Sequence, residues 1–103
     1  MSQSSIRERG IEAEEVIATL AQKFGEAGYS SRTEIVDATE FKLVVAAGGG
    51  ELSVTVKRLP DRQLGPTLRL PRTTTAVECR DIDRELEHEL RELIERSLLR
   101  GGG

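Results

Sequence analysis

The run FKLVVAAGGGELSVTVK, residues 41–57, decides the fold. On its first limb Phe41, Leu43, Val45 and Ala47 alternate with Lys42, Val44 and Ala46, and on its second Leu52, Val54 and Val56 alternate with Ser53, Thr55 and Lys57. A period of two is that of a β-strand with one face buried. Gly48, Gly49 and Gly50 lie between the limbs and accept the positive φ angles of a tight turn, so the two limbs form a β-hairpin. Its apolar face has to be covered by another layer.

C-terminal to the hairpin, Pro60 to Pro66 mixes turn formers with charge and reads as an exposed loop. Leu68 and Leu70 then alternate with Arg69, and Pro71 restricts that strand to an edge, a bulge or an early stop. Thr73, Thr74, Thr75 and Val77 favour a further extended piece ending near Cys79. Asp81 and Asp83 next set negative charge at a helix start, and Arg96 and Arg100 set positive charge at its end. Ile82, Leu86, Leu90, Leu93 and Ile94 trace the apolar stripe of that helix, continued by Ser97 or Leu98.

N-terminal to the hairpin, the β-branched residues Thr33, Ile35, Val36 and Thr39 predict a short strand. Before it, Ser5-Ile6-Arg7-Glu8 has the form of a capping box, and Ile6, Ala13, Val16, Ile17, Leu20, Phe24 and Ala27 recur at helical spacing. A helix is therefore expected from Ser5, frayed or delayed by Gly10 and stopped by Gly25 or Gly28.

These elements give an α+β fold of two layers: an antiparallel sheet of four or five strands with an N-terminal and a C-terminal helix packed on one face. Its expected core joins Phe41, Leu43, Val45, Leu52, Val54 and Val56 to Val16, Ile17, Leu20, Phe24, Leu86, Leu90 and Leu93. At 103 residues the chain is one domain, with 1–4 and 101–103 expected as flexible tails. Aromatics make up 3% of it, as Phe24, Tyr29 and Phe41, which leaves few rings for stacking on bases, sugars or cofactors.

The formal charge of −3 argues against a sequence-independent nucleic-acid binder. Locally the sign reverses, because Lys57, Arg58, Arg62, Arg69 and Arg72 stand against Asp61 alone and form a candidate binding patch, whose anion is first of all this domain's own acidic helices, and otherwise an acidic protein surface or a nucleic-acid backbone. Cys79 is the only cysteine, so the chain holds neither an internal disulfide nor a multi-cysteine metal site. The first residues lack the apolar stretch of a secretory signal, and the longest apolar run, Leu43 to Ala47, is too short to cross a bilayer; a cytoplasmic protein without a membrane partner is expected.

No motif in the chain specifies chemistry. The glycine triplet is followed by a strand, whereas a phosphate-cradling loop leads into a helix N-terminus. Cys79 has only His88 as a nearby imidazole, and His88 falls off the apolar stripe. Glu85, Glu87, Glu89, Glu92 and Glu95 interleave with Arg84, Arg91 and Arg96 as on a solvated helix face, with Glu87–Arg91 and Glu92–Arg96 in the favourable order. Lys42, Lys57 and Arg69, with Ser53 and Thr55, share a polar sheet face open to a partner. The order helix, strands, helix is similar to that of the double-stranded-RNA-binding domain, but that family grips phosphates with a lysine-rich start to its last helix, where this sequence has Asp81-Ile82-Asp83. The likeness ends at element order.

The sequence thus points to a non-enzymatic protein-interaction or assembly module, with no cofactor and no metal. Two alternatives stand beside it: a nucleic-acid-binding accessory domain using the basic 57–72 segment, and a small enzyme whose pocket, lined by Tyr29, Cys79 and His88, is hidden in sequence. A monomer or a weak homodimer is expected, the dimer option resting on exposed sheet edges and on Leu98 and Leu99, which project from different sides of the last turn.

Overall fold

The computed structural model describes residues 5–99, so the tails expected at 1–4 and 101–103 lie outside the described residues. In chain order the elements are β1 (Ser5–Arg9), α1 (Ala13–Glu26), β2 (Ser30–Asp37), β3 (Glu40–Ala47), β4 (Gly50–Gln63), β5 (Arg69–Arg80) and α2 (Arg84–Leu99). The five strands form one antiparallel sheet in the order β1-β5-β4-β3-β2. No helix among the described residues is long and apolar enough to cross a membrane.

The central hairpin forms as its pattern requires. Ala47 pairs with Gly50, and the two residues between them, Gly48 (φ 57°) and Gly49 (φ 81°), take the paired positive φ of a type I′ turn. Gly50 answers a different need: a Cβ there would fall against the carbonyl oxygens of Arg80 and Asp81, where β5 leaves the sheet. Register carries the apolar face across three strands, with Leu43 opposite Val54 and Val54 opposite Val77, and with Val45 opposite Leu52 and Leu52 opposite Cys79. These residues join Val16, Leu20 and Phe24 of α1 and Leu90, Ile94 and Leu98 of α2 in one core.

The helices flank this sheet differently from the sequence expectation. Ser5–Arg9 is a strand, not the first turn of a helix, and it pairs with β5 from Ser5↔Val77 to Arg9↔Thr73. The capping-box pattern is overridden because Gly10 breaks any helix started at Ser5, while β5 offers Ile6 to Arg9 a ladder of backbone partners. Ile6, expected on the buried face, is 74% exposed. Helix α1 begins at Ala13 after Ile11, whose carbonyl accepts a hydrogen bond from the buried Thr73 hydroxyl, and Glu12 occupies its N-cap without a side-chain cap. It is thus an internal helix, and α2 lies beside it towards β5 and β1, held there by Glu95, which accepts hydrogen bonds from Arg7 (2.7 Å) and Arg9 (2.8 Å). The Arg9 side chain is almost wholly buried and also donates to Thr75 Oγ1. Asp83 caps α2 by accepting the Leu86 N–H at 2.8 Å.

Two further boundaries differ. Thr39 lies in the β2–β3 turn, where its N–H and hydroxyl both donate to Asp37 Oδ1. The segment expected as a loop from Pro60 is largely strand: β4 runs on to Gln63 and β5 is continuous from Arg69, across a register shift between Leu59 and Arg62. Pro60 and Asp61 sit in that irregularity, where a proline's missing N–H leaves no ladder bond unmade.

The two glycines Gly25 and Gly50 should respond oppositely to alanine. Gly25 lies in α1 with nothing within 4 Å of an added Cβ, so Gly25→Ala should stabilise the fold by about 0.5–1 kcal/mol. Gly50→Ala should destabilise it by about 1–3 kcal/mol through the clash with the Arg80 and Asp81 carbonyls. Denaturant melts of both variants check this; equal effects would contradict the close approach at Gly50.

Candidate functional site

Neighbouring strands stop before β4 and β5 do. The last β3–β4 pair is Glu40↔Lys57 and the last β1–β5 pair is Arg9↔Thr73. Beyond these, β4 and β5 pair only with each other, through Leu59↔Arg72, Arg62↔Leu70 and Gln63↔Arg69, and the chain turns where Leu64 N–H donates to the Leu68 carbonyl at 2.9 Å. Residues 59–72 are a two-stranded arm standing off the sheet, consistent with overall extents of 49 × 28 × 23 Å.

The five basic residues singled out in the sequence divide between the base of this arm, its shaft and the open sheet face. Arg58 of β4 donates through Nη2 to both carboxylate oxygens of Glu14 on α1, while its buried Nε has no hydrogen-bond partner among the described residues. Arg72 of β5 makes a fork of two 3.1 Å hydrogen bonds to Glu8 of β1. The base is thus braced on both strands. Lys57, opposite Thr74, lies on the sheet face away from the helices with Lys42, Ser53 and Thr55. Arg69 is not on that face with them, since it pairs with Gln63 in the arm. Arg62 lies close enough to Glu8 for its charge to bear on that carboxyl, and both Arg62 and Arg69 are exposed.

The residues that sequence reasoning missed are three leucines. Leu64, Leu68 and Leu70 are 52%, 54% and 43% exposed, and Pro66 is exposed between them. The signal was present as Leu-Arg-Leu at 68–70, an alternation read as half-buried strand; the arm has no layer to bury it against. The outer arm therefore carries apolar side chains with Arg62 on their face, opposite Leu70, and Arg69 on the reverse face opposite Gln63; apolar side chains gathered in this way mark a contact surface.

The residues considered for catalysis do not assemble. The Cys79 thiol is buried, and that burial, reinforced by the charge of Glu87, pushes its pKa up, which keeps it protonated at neutral pH. His88 is exposed and faces Glu92 at 3.7 Å, and Tyr29 packs edge-on against Phe24 at a centroid distance of 6.2 Å. Glu87 pairs with Arg91 at 2.9 Å, as its spacing requires. Among the described residues no three His, Cys, Asp or Glu side chains cluster to hold a metal. An open groove of 370 Å³ between the C-terminal ends of the helices is lined by Lys23, Glu26, Ala27, Leu93, Arg96 and Ser97, without a nucleophile–base pair. No protein-family model matches the chain, and no curated protein is significantly similar to it.

The braces set a pH dependence. Hydrogen bonding from Arg72 holds the Glu8 carboxyl below its ordinary value of 4.5, and hydrogen bonding from Arg58 does the same for Glu14. The Asp37 carboxyl is lowered by the Thr39 N–H and hydroxyl. A carboxyl whose pKa is lower in the folded state binds fewer protons there than in the unfolded chain, so stability rises with pH between the two values. The contribution is complete above the unfolded pKa and is lost as pH falls through the folded one. Thermal melts from neutral to acid pH should show this loss, and Glu8→Gln with Glu14→Gln should flatten it, leaving the part due to Asp37. An unchanged acid slope in the double variant would show that the braces carry no stability.

Proposed function

We propose that this chain is a non-enzymatic protein-interaction module whose docking element is the outer β4–β5 arm. The observation that carries this reading is the exposure of Leu64, Leu68 and Leu70 on a hairpin that lies beyond the sheet's other strands. Apolar side chains held away from the core contribute little to folding, yet they offer a partner about 25 cal/mol for each Å² it covers. Arg62 on their face and Arg69 on the reverse of the same narrow arm favour a partner whose apolar groove is edged with carboxylates, since arginine's planar fork matches that group. With Arg58 and Arg72 engaged at the base, the basic segment offers fewer charges to a phosphate backbone than its sequence suggests, and no aromatic ring lies in it for base stacking.

Two variants test the reading: Leu64→Ser with Leu68→Ser and Leu70→Ser, and Arg62→Gln with Arg69→Gln. Both should melt within about 3 °C of the parent, because exposed substitutions change stability little. Immobilised parent chain should capture a defined set of acidic proteins from native lysate that both variants lose. An unchanged set would reject the arm as the docking element. Steeply salt-dependent retention of the parent on a polyanion column, lost on replacing Arg62 and Arg69, would move the assignment to nucleic acid.

A further inference from the structure

The sheet ends in two edge strands of unlike character. On β1, five residues long, Arg7 and Arg9 are tied to Glu95 of α2 and Glu8 to Arg72, so three of its side chains are committed within the chain, while Ile6 is exposed. The other edge, β2, is eight residues long and exposed throughout, and among the described residues no strand pairs with its outer side. The bonds its side chains make among the described residues are local: Arg32 donates to Glu34 at 3.0 Å, and Asp37 closes its own turn. Ile35 and Val36 stand 74% and 54% exposed on it.

We infer that β2 pairs antiparallel with β2 of a second copy of this chain, about a twofold axis passing through Thr33. In that register Arg32 meets Glu34 of the second copy, Glu34 meets its Arg32, and Ser31 meets Ile35. The charge pattern selects it. Centring the axis on Arg32 or on Glu34 sets like charges face to face, and centring it on Ile35 leaves both charges without an opposite partner in the ladder. The irregularity between Ile35 and Asp37 ends the pairing after Ile35, which makes the contact short and the dimer weak. An axis perpendicular to the sheet joins two five-stranded sheets into one, with the helices of both copies on the same side. Because each copy then spends its β2 edge and the committed β1 edge remains outermost, assembly closes at two. This inference is independent of the arm.

Light scattering coupled to gel filtration across a concentration series tests it on the full chain. The mass should rise with concentration from that of one chain towards twice that value. Thr33→Lys, which sets two ammonium groups together on the axis, should raise the midpoint concentration about tenfold or more, as should Arg32→Glu and Glu34→Arg singly. An equimolar mixture of Arg32→Glu and Glu34→Arg should dimerise again, because each chain then faces opposite charges. Ile6→Lys on the other edge should leave the midpoint unchanged. All these residues are exposed, and thermal melts confirm that the variants fold. A single-chain mass at every concentration overturns the inference, as does a dimer indifferent to all three β2 changes, a mixture that fails to recover, or a dimer lost in Ile6→Lys.

Discussion

Register across β3, β4 and β5 is the constraint on which the remaining structure depends. Leu43, Val54 and Val77 form one row across the sheet and Val45, Leu52 and Cys79 the next, all six buried. A slip of one residue in β4 would turn Ser53 and Thr55 towards the helices and put Leu52 and Val54 in water. The type I′ turn at Gly48 and Gly49 prevents that slip on one side of β4, since a two-residue loop fixes which residues face each other. The close approach of Gly50 to Arg80 and Asp81 pins the other side, where β5 ends and the chain turns into α2.

Once that face is set, both helices have to cover it, and their placement follows from what the remaining chain can reach. Helix α1 sits against β2, β3 and β4 with Val16, Leu20 and Phe24 wholly buried. Beside it, α2 buries Leu90, Ile94 and Leu98, and Glu95 fastens it to β1 through Arg9. Thr73 and Thr75 continue the buried face where aliphatic residues give out, and each hydroxyl is satisfied, by the Ile11 carbonyl and by Arg9 respectively. The opposite face is largely polar, with Ile6, Val44, Ala46 and Ala76 as its apolar members; Val44, in register between Arg32 and Ser53, is 4% exposed.

The elements legible in the sequence were those in which one periodicity dominates. The hairpin and α2 have a single strong pattern each, and an Asp83 cap or a glycine turn marks their boundaries. Residues 5–9 were misread because Ile6 and Glu8 fit a helix start as well as a strand, and only the presence of β5 beside them, a contact between residues some 70 apart, decides between the two. Of the candidate site, the charges were legible, and so was pairing with the domain's own acidic helices, which Arg58 makes with Glu14; the turn of Arg72 to Glu8 of a strand was not. Arg58 and Arg72 looked like members of one patch, whereas strand alternation sends Arg58 towards α1 and Arg72 towards β1. The three exposed leucines were hidden by the same rule that revealed the core, since alternation states which residues share a face but not whether anything covers it.

An arm of this length has to be held by its base. An isolated two-stranded hairpin is marginal in water, and ordering each backbone residue costs about 1–2 kcal/mol, which the mostly exposed residues 59–72 recover mainly through their ladder bonds. Arg58 and Arg72 occupy the positions where β4 and β5 leave the sheet, on opposite strands, and each grips an acid from a different element. The two contacts resist rotation of the arm about its own axis more than either could alone, because one is anchored in a helix and the other in a strand. Their hydrogen bonds are exposed, so they add little to global stability. What they fix is direction. A projecting hairpin that swings freely would lose that freedom on docking and weaken the complex accordingly, and an arm already aimed by its base loses less.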